Sequence, residues 1–453
     1  MTASKQVEVL TESPDDEGMD ISESAERLRL PDLPSDIIAE IFQRCDFETL
    51  NTARLASAQC HTHACGAVRS AAWRHAQPNH AQGLAIARLA ANAFTSAKLH
   101  GLSGGVRGLA MCGDLLASGS KDHVARLWGM RTLGTCFAEF VHPHWVGPVA
   151  LTRRAGGRLA TGCDDGVVRV FSTDTASTVA STAAAGRQQL VELRGQSRSW
   201  LVGVGWVGDE QAPDSGDSLR DSDDDLPPLV SCSRDGEMLL WDVGRAAVLH
   251  RSYSPPVSVP GSRSSVLVTA FDATGTRAAV GRLGQGPALA AAESVTVYEL
   301  AASAEAPSSE LCRLGRLADG AEGPLCALAW DRGGGISCAR SGAGDSGRPT
   351  CLASGAGNGQ IDLWDVRAPG RPTGPPLENG CAGPLRCLAY SGHVLVAGRD
   401  PMLNVWDLRT RRIVQRLRGH ANNDALALQV DSAGCRIVCG GRMGGELRAW
   451  KLW

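Results

Sequence analysis

Seven stretches of this chain repeat one arrangement of apolar and polar positions. A small residue and a polar turn lead into apolar residues at alternate positions, and an aromatic residue closes each stretch. The closing residues are Trp128, Phe171, Trp241, Tyr298, Trp364, Trp406 and Trp450. Alternation at period two predicts strands with one face inward. The fullest copies are Ser120–Trp128 and Ser233–Asp242; the sparsest is the fourth, Val295–Tyr298. In the sixth copy, Val394–Ala397 and Leu403–Trp406 are two such strands, and Gly398-Arg399-Asp400-Pro401 is the turn between them. Asp suits that turn because its side chain bonds the backbone two residues on. Gly suits it because it tolerates positive φ. Comparable turns lie at Asp122, Asp164-Asp165, Asp235 and Asn358, whereas the fourth and seventh copies lack the turn aspartate.

Spacing turns these strands into an array. Successive aromatics are 43, 70, 57, 66, 42 and 44 residues apart. Three of the intervals match the roughly 40–45 residues of a four-stranded propeller blade. Each of the others holds a stretch of insert-like composition: acidic at 209–228, Gly/Ala-rich at 281–292, Gly/Ser-rich at 331–350. The predicted fold is mainly β, a seven-bladed β-propeller over about residues 94–453. Connections from second to third strands share one rim, called the top here. The inserts at 209–228 and 331–350 fall on the bottom rim, and 281–292 falls on the top.

The dipeptides Trp241-Asp242, Trp364-Asp365 and Trp406-Asp407, with Gly419-His420, resemble the WD-repeat family. The resemblance covers about residues 94–453. It implies that Phe94–Leu99, which has no place in the first blade, closes the ring as the missing fourth strand of the last. A bare edge there would otherwise invite association. Gly419-His420 is the one Gly-His pair in the family's position, so no blade is expected to hold a complete His–Ser/Thr–Asp–Trp network.

Upstream the period changes. Ile37, Ile38, Ile41, Phe42 and Cys45 follow Leu33-Pro34 at helical spacing, and Pro is tolerated in a first helical turn. A second helix is expected from Glu48 to about His63, with Leu50, Ala53 and Leu55 inward, and Ala72-Trp73-Arg74 adds a buried aromatic. Residues 30–75 therefore read as a small three-helix α domain, too small to bury much surface alone. Residues 76–93, Ala-rich with Leu84 and Leu89, predict a helical linker. The order Leu33-Pro34, Asp36, Ile37-Ile38, Ile41-Phe42, Leu50 and a downstream Trp-Arg resembles the F-box. That resemblance implies docking on a Skp-type adaptor, and through it on cullin and RING subunits, with Leu33, Pro34, Ile37, Ile38, Ile41 and Leu50 as the adaptor-binding face.

Charge refines this outline. The net charge is −3, but residues 1–30 carry −5 and residues 209–225 carry −7, leaving +9 for the remainder. Both acidic segments have the high-charge, low-hydrophobicity signature of disorder, and residues 1–29 are expected to be a disordered acidic N-terminus. No 18-residue apolar run and no apolar signal core occurs, so neither a membrane partner nor secretion is expected. The 15 cysteines suit reduced thiols in the cytoplasm or nucleus. Cys60, His61, His63 and Cys65 lack paired Cys-x-x-Cys spacing, so no metal site is expected.

The residues just before the top turns are Lys121, Asp164, Arg234, Gly357, Arg399 and Arg442. Arginine binds carboxylate and phosphate bidentately, so Lys121, Arg234, Arg399 and Arg442 are the expected target-binding residues, for an acidic or phosphorylated target. No aromatic stands at these turns, which speaks against a cage for methylated lysine. Arg126, Arg169 and Arg448, inside third strands, are expected to face outward.

No Gly-Lys-Ser/Thr loop, Gly-x-Ser-x-Gly elbow or His-Glu-x-x-His motif is present. No catalytic residue, cofactor or nucleic-acid partner is expected. The two resemblances together imply a substrate receptor of an SCF-type cullin-RING ubiquitin ligase. The alternative is a WD-repeat scaffold of a multi-subunit assembly with no ligase link.

Overall fold

The computed structural model describes Ile41, Phe42, Thr62, Ala67 and residues 78–453. Within 78–453 it omits 132–134, 153–156, 174–188, 196–198, 208–225, 254–264, 272–276, 284–294, 301–308, 315–324, 332–350, 369–370, 379–384, 400–401, 419–424, 432–435, 442–444 and 453. The chain divides into two units, Met1–Ala67 and Val68–Trp453. In the first, the four described residues are helical. Phe42 and Ala67 are buried, whereas Ile41 is 40% exposed. Leu33, Pro34, Ile37, Ile38, Leu50 and the rest of the expected three-helix domain lie outside the described residues, as do residues 1–29.

The second unit opens with helix α1, Pro78–Ala90. Ala85, Ile86 and Leu89 form its buried stripe. Its C-terminus is closed by Asn92, whose φ of 53° is left-handed. Asn92 N donates to Leu89 O and Ala93 N to Arg88 O, at 3.0 and 2.8 Å, the paired bonds that satisfy terminal helix carbonyls. Gln415, from the outer strand Arg412–Arg418, also donates to Leu89 O at 3.1 Å. The helix thereby lies against the sixth blade.

Seven four-stranded antiparallel sheets form the ring, a seven-bladed β-propeller. Blades 1 to 6 run from Val106 to Val141, Val146 to Leu193, Leu201 to Tyr253, Ser265 to Leu314, Leu325 to Glu378 and Cys387 to Arg418. Blade 7 combines Ala425–Val430, Arg436–Gly441 and Leu447–Lys451 with Thr95–Leu99, which pairs Ser96 with Trp450 and Ala97 with Ala449. The N-terminal strand thus closes the ring. Blade 4, sparsest in sequence, still has four paired strands. Its second strand extends to Leu283, so residues 281–283 belong to the blade rather than to an insert. First strands crowd the axis: a Cβ on Gly108 would meet the Gly147 carbonyl at 2.3 Å. Among the described residues no helix is long and apolar enough to cross a membrane.

The closing aromatics fill the wedges between blades. Trp128, Trp241 and Trp364 are fully buried, and each indole N–H donates to a second-strand serine: Ser118 at 2.9 Å, Ser231 and Ser354 at 2.8 Å. In blade 6, Ala397 stands in the serine's place, and Trp406 Nε1 is buried without a partner. In blade 2 the threonine at that place, Thr161, lies 2.8 Å from His142 Nε2, while Nδ1 of this histidine donates to Phe140 O at 2.9 Å. Phe171 replaces the tryptophan and meets the imidazole edge-on. Burial lowers the His142 pKa to about 4. The sequence pattern missed this histidine because Val141, not glycine, precedes it.

Arg126 and Arg169 are not outward-facing but buried. Arg126 clasps Asp122 and Glu139 at 2.7 and 2.8 Å, and Arg169 clasps Asp165 and Glu192 at 2.8 and 3.1 Å. Each ties a top-turn aspartate to the outer strand of its own blade, so one guanidinium satisfies two carboxylates. Arg448 is half-buried and donates to Arg418 O at 2.6 Å. Blade 5 has Asp362 at this position, buried, with Gln360 donating to Oδ1 and no partner on Oδ2. Burial pushes its carboxyl pKa up.

Candidate interaction site on the top rim

The site begins with the backbone at the start of the first strands. Lys121 N donates to Gly105 O at 2.9 Å, Asp164 N to Trp145 O at 3.1 Å and Arg234 N to Trp200 O at 2.8 Å. Each turn residue therefore pins the residue that precedes the first strand of its own blade. In blade 1 that residue is Gly105. In blades 2 and 3 it is tryptophan, and the top rim acquires two indoles.

Trp145 and Trp200 are 41% and 43% exposed, unlike the buried tryptophans that close the strands. Cations surround them. Lys121 Nζ lies 5.2 Å from the Trp145 ring centroid and Arg234 Cζ lies 5.1 Å from that of Trp200. Arg107, on the first strand of blade 1, lies 5.9 Å from both. A cation within about 6 Å of an indole face is held by the ring quadrupole, by roughly 0.5–1 kcal/mol when exposed. Arg107 is also bonded to Asp164 across the blade 1–blade 2 boundary at 2.6 Å. Lys121 and Arg234 have no carboxylate partner among the described residues.

The turns that present these side chains are braced from below. Asp122 accepts from Ser103 N and Val124 N, both at 3.1 Å, and from Arg126. Burial raises the Asp122 pKa, but the bonds from Ser103 and Arg126 outweigh it and hold the carboxyl below its usual range. Asp165 does the same in blade 2, accepting from Val167 N at 3.0 Å and from Arg169. Both aspartates stay ionised and keep the turns fixed.

Of the four residues expected to bind a target, Lys121 and Arg234 join the cluster. Arg399 ends the second strand of blade 6 opposite Met402, its side chain outside the described residues, and Arg442 lies outside them altogether. Arg107, Trp145 and Trp200 were missed. The sequence signal lies in Trp145-Val146 and Trp200-Leu201, an aromatic ahead of an apolar residue, outside the second-to-third-strand turns. No aromatic stands at those turns, and the aromatics reach the same rim from the connections between blades.

Arg107 and Arg386 also line the central channel, a cavity of about 490 Å³. Trp206, Phe271, Trp330 and Tyr390 line it too, near the ends of the first strands of blades 3–6. Trp206 and Trp330 donate to Ala150 O and Ala270 O of the preceding blades, at 3.4 and 3.0 Å. Among the described residues no group of three or more His, Cys, Asp or Glu side chains is placed to hold a metal ion.

Residues 95–129 match the family described as WD domain, G-beta repeat. The match runs from the closing strand of blade 7 through the third strand of blade 1, so this sequence repeat straddles two blades. The chain is also similar to the protein transport protein SEC31 of Mycosarcoma maydis, 32% identical over 108 residues. That alignment covers 23% of this chain and spans only 8% of the length of the relative.

Proposed function

We propose that this seven-bladed WD-repeat protein is a non-enzymatic adaptor that captures a target protein on the top rim of its propeller. The observation that carries this reading is the cluster over blades 1–3: two half-exposed indoles and three cations, two of the cations without a carboxylate partner among the described residues. Exposed tryptophan and arginine are the side chains that most often dominate protein interfaces. The target is an acidic or phosphorylated protein, and the sequence pattern adds Arg399 and Arg442 as further candidate contacts.

The finer reading is a substrate receptor of an SCF-type cullin-RING ubiquitin ligase. It draws on the Leu33-Pro34 pattern of residues 30–75, with Leu33, Pro34, Ile37, Ile38, Ile41 and Leu50 facing a Skp-type adaptor. Exposed Ile41 beside buried Phe42 suits a helix with one face free for a partner. The mechanism is proximity: two partners held by one chain meet at high effective concentration. Cys112, Cys163, Cys232, Cys387 and Cys439 are buried outside any disulfide, which suits the cytoplasm or nucleus, but Cys351 is disulfide-bonded, so the expectation of reduced thiols throughout is corrected. A second reading, a scaffold of a multi-subunit assembly without a ligase link, is favoured by the likeness to a transport protein.

Co-purification of the full chain with a Skp-type adaptor separates the two. The ligase reading expects adaptor with the wild type and none with Leu33→Ala/Pro34→Ala. A wild type that retains no adaptor refutes it and leaves the assembly scaffold.

A further inference from the structure

We propose that Lys121, Trp145, Arg107, Trp200 and Arg234 form one ladder that binds a short, extended, doubly acidic segment of a partner protein. The proposal rests on target capture by the top rim, and it narrows that reading. The site lies off the propeller axis, over blades 1–3. It centres on two indoles and Arg107, and it does not use Arg399 or Arg442.

The ladder alternates cation and ring: Lys121 to Trp145 at 5.2 Å, Trp145 to Arg107 and Arg107 to Trp200 at 5.9 Å each, Trp200 to Arg234 at 5.1 Å. Each indole is thus already attended by two cations. A methylated ammonium would bring a third positive charge against like charge, and a nucleobase would have to displace a cation in order to stack. What the ladder leaves open is the hydrogen-bonding edge of its cations, which calls for anions.

The charge along the ladder is uneven. Asp164 neutralises Arg107 at the centre and fixes its orientation at 2.6 Å. The two ends, Lys121 and Arg234, are free of carboxylates among the described residues, and their backbone amides are tied to Gly105 and Trp200. The pattern is two positive poles with an aromatic, near-neutral span between them. Its four steps bound its length at about 22 Å. An extended chain advances about 3.3 Å per residue, so two anionic side chains no more than about six residues apart reach both poles. Carboxylate and phosphate present the same acceptor chemistry here. The indoles hold the cations pointed and lower the entropy lost on binding, so they contribute to affinity without carrying charge.

The test uses the full chain and fluorescein-labelled eight-residue peptides in a Gly/Ser background. One set carries two glutamates separated by two to six residues; matched sets carry two phosphoserines or two trimethyl-lysines. An eight-nucleotide oligo-dT is the nucleic-acid arm. Polarisation reads binding and indole emission reports contact. The glutamate or phosphoserine peptides should bind and change the emission. Trp145→Ala and Trp200→Ala should each weaken binding about tenfold at unchanged net charge and unchanged melting temperature. Tighter binding of trimethyl-lysine peptide or oligo-dT, or acidic-peptide binding indifferent to the double tryptophan variant, would overturn the ladder. If partner proteins still co-purify with the double variant, the ladder fails while target capture stands. If none co-purifies even with the wild type, target capture itself fails.

Discussion

Replacing Arg436 by methionine should loosen the ring where blade 7 meets blade 1. Arg436 opens the second strand of blade 7. Its Nε donates to Asp431 at 2.9 Å, and its Nη1 crosses to Asp114, in the first turn of blade 1, at 2.8 Å. Arg131 bonds the other oxygen of Asp114 at 2.6 Å. The Arg436 side chain is 17% exposed, and Asp114 is 37% exposed. Removing one partner of a fully buried pair costs about 3–5 kcal/mol, whereas an exposed pair is worth about 0–1. Asp114 keeps Arg131 and some solvent, and methionine keeps much of the stem packing, so the expected loss is ~2 kcal/mol. For a domain of this size that corresponds to a fall in Tm of about 3 °C. The effect should depend on pH. Burial raises the Asp114 pKa, but bonds from Arg131 and Arg436 outweigh it and hold it below the usual range. A depressed carboxylate adds stability that is complete above its unfolded pKa, near 3.9, and is lost as pH falls through the folded value. The gap in Tm between wild type and Arg436→Met should therefore be full at pH 7 and narrow below pH 4. Scanning calorimetry on the full chain measures both. An equal or higher Tm for Arg436→Met at pH 7 would refute the reasoning, because it would mean that desolvation of the three charges outweighs their attraction.

Two further perturbations test the blade interiors. Ala397→Ser should give the orphaned Trp406 indole the acceptor that Trp128, Trp241 and Trp364 already have, and raise stability by ~1 kcal/mol in denaturant titration; unchanged stability would mean that the added oxygen is not reached. His142 is buried and neutral with a pKa of about 4, so its contribution is complete above its unfolded pKa near 6.5 and declines as pH falls toward 4. His142→Asn should therefore flatten the Tm–pH profile between pH 6.5 and 4, by up to about 3 kcal/mol of pH-dependent stability, and a profile unchanged in that window would remove His142 as its source.

The blades were legible because strand pairing rewards a local pattern. Alternating apolar residues with an aromatic end, repeated at blade spacing, can bury their inner faces only against copies of themselves. That logic placed Trp128 and Trp450 in their wedges, and the resemblance it supported placed Thr95–Leu99 at the closing edge. It held even for the sparse fourth copy, since Val295, Val297 and Tyr298 keep the alternation. The buried charges were not legible. Nothing local distinguishes Arg126 or Arg169 from a solvated arginine until Glu139 and Glu192 come alongside from the next strand.

Local pattern sufficed for the number of blades, their order and the rim on which each connection emerges, because those follow from strand alternation and chain order alone. The binding surface depended on distance between residues far apart in the chain. Lys121, Trp145, Arg107, Trp200 and Arg234 come from three blades, and no window of sequence contains them. They meet because each turn amide anchors the start of its own blade's first strand and the ring sets neighbouring blades side by side. Whether a tryptophan fills a wedge, as Trp241 does, or stands half in solvent against a cation, as Trp200 does, was decided by that packing.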